Sequence, residues 1–301
     1  MFAVPCLEAL IRERFDMQLV VSQPDRPKGR GLELAPTPVK QVALAHGIPV
    51  AQPERIKNNP EFRAQLEQIR PDAIIVVAYG RIIPQWMIDL PPLGNINVHA
   101  SLLPKYRGAA PIQWAIACGE TVTGVTTMRI DAGLDTGPML LKAEMPIAAD
   151  DTAVTLSPRL SQLGALLLIE TLRSFNSGEL VPTPQDDSQA TLAPLLKKED
   201  GRIDFSRSAQ EISNRLRGFQ PWPGAFSTFR GKQLTVHSAR PGKGPQLTTG
   251  ELLVNEDSLY VGAGQGTALE LLEVQLEGKK RMSARDFTNG NRLIAGERLG
   301  G

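Results

Sequence analysis

Two apolar runs, "MQLVVSQ" at 17–23 and "DAIIVVAYG" at 72–80, are rich in branched residues and almost free of alternation. Strands buried on both faces read this way. Amphipathic stretches separate them: "VPCLEALIRERF" (4–15), "TPVKQVALAHG" (37–47) and "EFRAQLEQIR" (61–70) each predict a helix. In the second, Thr37 suits the cap, Pro38 the first turn and Gly47 the stop. Strands alternating with helices of this length predict βαβ units on a parallel sheet, so the first domain is α/β.

The pattern then changes. "GNINVHA" predicts a further strand, and "APIQWAIACG" a helix after a loop rich in Pro and Gly. "TGVTTMRI" (123–130) and "PMLLKAEMPI" (138–147) predict two strands joined by the turn-forming "DAGLDTG". The long amphipathic stretch at 155–175 predicts a helix with an irregularity near Pro158. "TPQDDSQATLAP", polar and bracketed by prolines, has linker composition. One short helix follows ("SAQEISNRLRGF"), then five β-like runs: "AFSTFR", "KQLTVHSA", "ELLVNE", "SLYVGAG" and "ALELLEVQ". Short strands with Gly between them predict a small barrel. The expected organisation is residues 1–182 as a catalytic domain, 183–200 as a linker and 201–301 as the barrel.

Composition narrows the function classes. The chain has 301 residues, 42% hydrophobic and 22% charged, which is ordinary for a globular protein. No apolar run reaches the length of a membrane span, and the start lacks the features of a secretory signal, so a cytoplasmic protein is expected. Cys6 and Cys118 have no second Cys or His at ligand spacing. No zinc site, no other metal and no disulfide framework is expected, and both thiols are expected to be buried. From Lys197 onward there are 16 Lys+Arg against 12 Asp+Glu, and before it 17 against 20. The second half is mildly basic, which a mixed solvated surface explains as readily as an anionic partner does.

The candidate chemistry sits in "NINVH". In a strand Asn97 and His99 share one face while Ile96 and Val98 share the other. The strand should end at His99, at the carboxyl edge of the sheet, where open α/β folds bind ligands. A polar pair at a strand end can also serve only to satisfy loop backbone groups. Two neighbours argue for more: the loop "SLLPKYRGAAP", and "DAGLDTG", which brings Asp131 and Asp135 into a glycine-flanked turn. An amide, an imidazole and a carboxylate can together catalyse acyl transfer without a covalent intermediate.

These segments, with "VSQPDRPKGRG", "VVAYGRIIP", "FQPWPGAF" and "GKKRMSARDF", resemble the folate-dependent formyltransferases from residue 2 to about residue 300. The resemblance implies a Rossmann-like formyltransferase domain followed by a small OB-like β-barrel. It implies transfer of a formyl group from the cosubstrate 10-formyltetrahydrofolate, in the family branch whose acceptor is methionine esterified to initiator tRNA. The family's catalytic residues fall on Asn97, His99 and Asp135. The folate site is implied at Tyr79, Gly80 and Ile82 and at Ser101, Leu102, Leu103 and Pro104. The tRNA is implied to meet Arg26, Lys28 and Arg30 in the "PDRPKGRG" loop, and Lys279, Lys280 and Arg281 in the barrel. A monomer is expected, with no membrane partner.

One departure stands out. Family members open with a short apolar strand and a Gly-Thr-Pro turn before the "FAVP" helix, and Met1 stands at that place here. The first strand is therefore expected to be missing from the sheet, with unpaired backbone beside the gap. The branch that formylates UDP-amino sugars should lack the "PDRPKGRG" loop, and the purine-pathway branch should lack the barrel. A non-enzymatic tRNA-binding relative need not keep Asn97, His99 and Asp135. His46, His237 and Trp222 attract structural readings, the last as packing between domains.

Overall fold

The computed structural model describes residues 2–28, 33–244 and 246–300. Contacts divide the chain into two units, one of Met1–Pro111, Val122–Pro146 and Ser157–Pro194, the other of Ile112–Thr121, Ile147–Leu156 and Leu195–Gly301.

In chain order the N-terminal half carries α1 (Val4–Arg12), β1 (Val20–Val21), β2 (Arg26–Lys28), β3 (Glu33–Ala35), α2 (Pro38–Ala45), β4 (Val50–Ala51), α3 (Pro60–Ile69), β5 (Ile74–Val76), α4 (Gln85–Ile88), β6 (Asn95–His99), α5 (Pro111–Ala117), β7 (Val122–Arg129), β8 (Met139–Pro146) and α6 (Ala153–Ser177). α2 starts at the cap the sequence predicts, Thr37, and α3 starts at one it did not mark, Asn59. Thr37 accepts from the Lys40 amide at 3.2 Å and Asn59 from that of Phe62 at 3.0 Å, each followed by a proline whose missing N–H costs nothing in a first turn.

The sheet is the expected parallel one only in part. β5 and β6 pair in parallel, and β7 and β8 continue antiparallel, in the order β5-β6-β7-β8. β1 and β4 form a separate parallel ladder, and among the described residues no strand joins it to β5. β5 is also shorter than its apolar run, because Ala78 turns left-handed at φ +47° and the chain leaves the ladder after Val76. α6 runs through Pro158 near its start. Gly164 lets it lie close to the sheet: a Cβ there would come within 2.9 Å of the Val98 side chain. Val98 points at α6, so Asn97 and His99 project from the other face.

The second unit holds α7 (Ala209–Gly218), β9 (Phe226–Phe229), β10 (Lys232–Gly242), β11 (Leu252–Asn255), β12 (Ser258–Gly262), β13 (Ala268–Leu276), β14 (Met282–Ser283) and α8 (Ala284–Asn291). All five predicted runs are strands. Their ladder runs β11-β12-β13-β10-β9, with β14 on β13, around a core that includes Phe229, Leu234, Leu259, Val274 and Phe287. Residues 297–300 bridge its two edges: Leu252 donates to Glu297 O, Leu299 to Gly250 O, and Gly300 to Thr228 O, at 2.8 to 3.0 Å. Arg230 clasps the Glu297 carboxylate across the same seam.

Cys6 is buried, and desolvation pushes its thiol up to about 12. Cys118 corrects the expectation: it lies just past the last residue of α5 and is exposed. Trp222, expected in packing, is 54% exposed. Among the described residues no helix is long and apolar enough to cross a membrane.

Candidate functional site

β6 ends at His99, and its parallel pairing with β5 puts the 77–82 turn at the same carboxyl edge of the sheet. Asn97 and Asp135, far apart in sequence, meet here: Asn97 Nδ2 lies 3.5 Å from Asp135 Oδ1. His99 Nδ1 lies 3.7 Å from Asp135 Oδ2. That distance is beyond a direct hydrogen bond and within ion-pair range. The three sequence-predicted residues therefore form one cluster.

The second imidazole nitrogen decides the tautomer. His99 Nε2 is 2.9 Å from the Tyr106 carbonyl. A carbonyl only accepts, so Nε2 carries the hydrogen and Nδ1 is left facing Asp135. Tyr106 presents that carbonyl from a left-handed backbone, φ +64°. Its amide is held by Thr191 Oγ1 at 2.9 Å.

Asp135 is itself left-handed at φ +51°. Its Oδ2 accepts from the Gly108 amide at 2.9 Å, and Gln185 Nε2 donates to its main-chain carbonyl at 2.7 Å and to that of Gly137 at 2.8 Å. Gln185 Oε1 in turn accepts from Arg107 Nε at 2.9 Å, and Arg107 Nη2 reaches Asp187 Oδ1 at 2.7 Å. Main-chain bonds between Arg107 and both Thr191 and Ala193 fasten the same segment. The stretch that composition marks as a linker is thus bound to the site loop. Sequence reasoning missed Tyr106, Arg107, Gly108 and Gln185. Two of these act through main-chain atoms that any residue type carries, and Gln185 was hidden in a polar, Pro-bracketed tract.

The residues implied for folate divide in two. Ser101 is fully buried and its hydroxyl donates to Lys105 O at 2.6 Å, while Leu103 packs with Met128 and Met139; both side chains shape the loop. Thr126 Oγ1 accepts from the Leu103 amide and donates to Ser101 O, which pins that loop to β7. Leu102 and Pro104 are half-buried, and the Lys142 ammonium donates to Leu103 O at 2.5 Å. Across the edge the Tyr79 ring packs inward against the Phe62 and Met87 cluster, and burial raises its phenol above the ordinary value. Gly80 is exposed, Ile82 is 90% exposed, and Leu134 in the "DAGLDTG" turn is 63% exposed.

The basic residues lie apart from the trio in the chain. β2 and β3 form an antiparallel hairpin in which Arg26 pairs with Ala35 and Lys28 with Glu33. Arg26 is exposed, and Arg30 lies outside the described residues. The hairpin base is fixed by Lys40, whose ammonium reaches Asp25 at 2.5 Å and Gln52 at 2.6 Å, while Gln52 also donates to Asp25 at 2.7 Å. These two partners hold the Asp25 carboxyl below the usual carboxylate range. Gln23 connects this base to the 77–82 turn, donating to Tyr79 O at 2.8 Å and accepting from Arg81 Nε at 2.9 Å. In the second unit Lys279 and Lys280 are exposed at the turn after β13, and Arg281 pairs with Glu273.

Residues 2–172 match the family described as formyl transferase, and residues 195–292 match the formyl transferase C-terminal domain. The methionyl-tRNA formyltransferase of Koribacter versatilis is 68% identical over 299 residues, covering 99% of this chain and 96% of that one. Its counterpart from Acidobacterium capsulatum is 60% identical over 300 residues, with the same coverage. Among solved structures, the N-formyltransferase from Helicobacter canadensis in complex with folinic acid and dTDP-3-aminofucose shares the fold, with a TM-score of 0.66, 19% identity, and coverage of 90% of this chain and 95% of that one.

Proposed function

The chain belongs to the formyl transferase family, and on that premise we propose that it transfers a formyl group from 10-formyltetrahydrofolate to the α-amino group of methionine carried by initiator tRNA. The product serves the start of protein synthesis. The observation that carries the reading is the meeting of Asn97, His99 and Asp135 at the carboxyl edge of the sheet, in a chain that also has the basic hairpin and the C-terminal unit.

In the reaction a bond forms between the amine nitrogen and the formyl carbon while the bond from that carbon to N10 of the folate breaks. The amine loses a proton and N10 gains one. With Nε2–H committed to Tyr106, His99 Nδ1 is the nitrogen that takes up or gives a proton, and Asp135 favours the imidazolium as it forms. The Asn97 amide donates to the formyl oxygen as negative charge gathers there. Exposed Ile82 and Leu134 supply apolar surface at this edge, which suits the flat rings of the folate, and the polar backbone of 77–82 suits the pterin edge. Arg26, Lys28 and Arg30, with Lys279, Lys280 and Arg281, supply cations for tRNA phosphates, contacts that need charge and no base sequence. A monomer working in the cytoplasm fits these two substrates.

The test is formyl transfer by this chain to methionyl initiator tRNA, with a UDP-amino sugar as parallel acceptor. Formyl-methionyl-tRNA as sole product is the expected result. Product on the sugar alone would assign the other branch, and no product on either would overturn the catalytic reading.

A further inference from the structure

The strap formed by residues 183–194 carries a side chain, Gln185, whose amide joins the main chain of the Asp135 turn to Arg107. We propose that Gln185 is a positioning residue for formyl transfer, holding Asp135 in the backbone conformation from which its carboxylate serves His99. A non-glycine residue stays in the left-handed region only where its surroundings over-determine it. Asp135 is such a residue, at φ +51°. Two carbonyls of this turn, those of Asp135 and Gly137, accept from the one Gln185 amide nitrogen at 2.7 and 2.8 Å.

The orientation of that amide is fixed. Its oxygen accepts from Arg107 Nε at 2.9 Å, so the nitrogen has to face the two carbonyls. Arg107 is nearly buried, fastened by Asp187 on one side and by the Thr191 and Ala193 main chain on the other. Its neighbour Gly108 donates to Asp135 Oδ2. Gln185 and the loop it grips therefore hold the aspartate at both its carbonyl and its carboxylate.

The proposal rests on Asp135 being catalytic, so the experiment separates the two claims. Four proteins are compared in steady-state formylation of methionyl initiator tRNA: the full chain, Gln185→Leu, Asp135→Asn and the double variant. Gln185→Leu should lower kcat by about 10- to 100-fold, the scale of a small misplacement of a reacting group, with both KM values within about twofold. On the Asp135→Asn background the same change should alter the rate by less than about twofold, because a residue acting through Asp135 has nothing further to lose. Gln185→Glu keeps the acceptor for Arg107 and loses the donor to both carbonyls; it should behave as Gln185→Leu does, and it carries the test if the leucine variant fails to fold. Losses that multiply in the double variant, KM changes at parental kcat, or parental kcat in Gln185→Glu would each overturn the proposal. Parental activity in Asp135→Asn would remove the catalytic reading and this inference with it. An inactive Asp135→Asn beside a fully active Gln185→Leu would remove only the role of Gln185.

Discussion

At the scale of single residues, the site is built from two backbone conformations that side chains rarely adopt. Tyr106 and Asp135 are both left-handed, one to aim a carbonyl at His99 Nε2, the other to bring a carboxylate near Nδ1. Gly108, at φ +120°, completes the arrangement, and a Cβ there would lie 2.7 Å from Ala193 O. Gly108→Ala should therefore displace the amide that holds Asp135 and lower kcat by at least about tenfold, read in single-turnover formylation. Asn97→Ala should cost roughly 10²- to 10³-fold in kcat, the usual loss for one donor to a developing oxyanion; a loss below about fivefold would take Asn97 out of that role. Asn97 and His99 were legible in the sequence because strand periodicity puts them on one face at a predictable strand end. Asp135 was legible only with the family resemblance, which selected it over Asp131. The structure gives Asp131 a local task, accepting from the Gly133 amide and the Thr136 hydroxyl within its own turn.

At the scale of elements, short β-like runs with Gly between them revealed five strands of the second unit, β9 to β13, while α8 escaped notice. Its sequence is polar, yet Ser283 caps the Asp286 amide at 3.0 Å, a Ser-x-x-Asp start that the capping rule could have found. The closing stretch 297–300 was invisible for a different reason: its ladder bonds to Gly250, Leu252 and Thr228 are main-chain bonds, and the Arg230–Glu297 pair joins residues 67 apart, which no local pattern reveals. Its anchor is Leu299, buried in the barrel core, so Leu299→Ala should destabilise this unit by about 2 to 5 kcal/mol, measured by denaturant unfolding. At the base of the β2–β3 hairpin, Lys40 and Gln52 hold the Asp25 carboxyl below its ordinary value of 3.8, so the ionised form is the one the fold favours. That contribution is complete above pH ~4 and is lost as pH falls through the lowered value. Asp25→Asn should accordingly melt below the parent at pH 7, and the gap should close as the pH is taken below about 4. A gap that persists unchanged in acid would show that the ion pair is not its source.

At the scale of the whole molecule, a net charge of +1 gives no long-range pull on a polyanion, so attraction for tRNA has to come from local cations. Lys279→Ala and Lys280→Ala should each reduce the slope of log Kd against log salt by about one while leaving folate binding alone; an unchanged slope would exclude the β13–β14 turn from the tRNA contact. The strap has a practical consequence for anyone dissecting this enzyme. A fragment ended at residue 172, where the family match stops, or at 182, where composition shifts, would retain Asn97, His99 and Asp135 and lose Gln185, Asp187, Thr191 and Ala193. Such a fragment would look complete by its catalytic residues and lack what holds them. Domain exchange between relatives should be spliced no earlier than Pro194, the last residue of the first unit, so that Asn97, His99 and Asp135 travel with their own clasp.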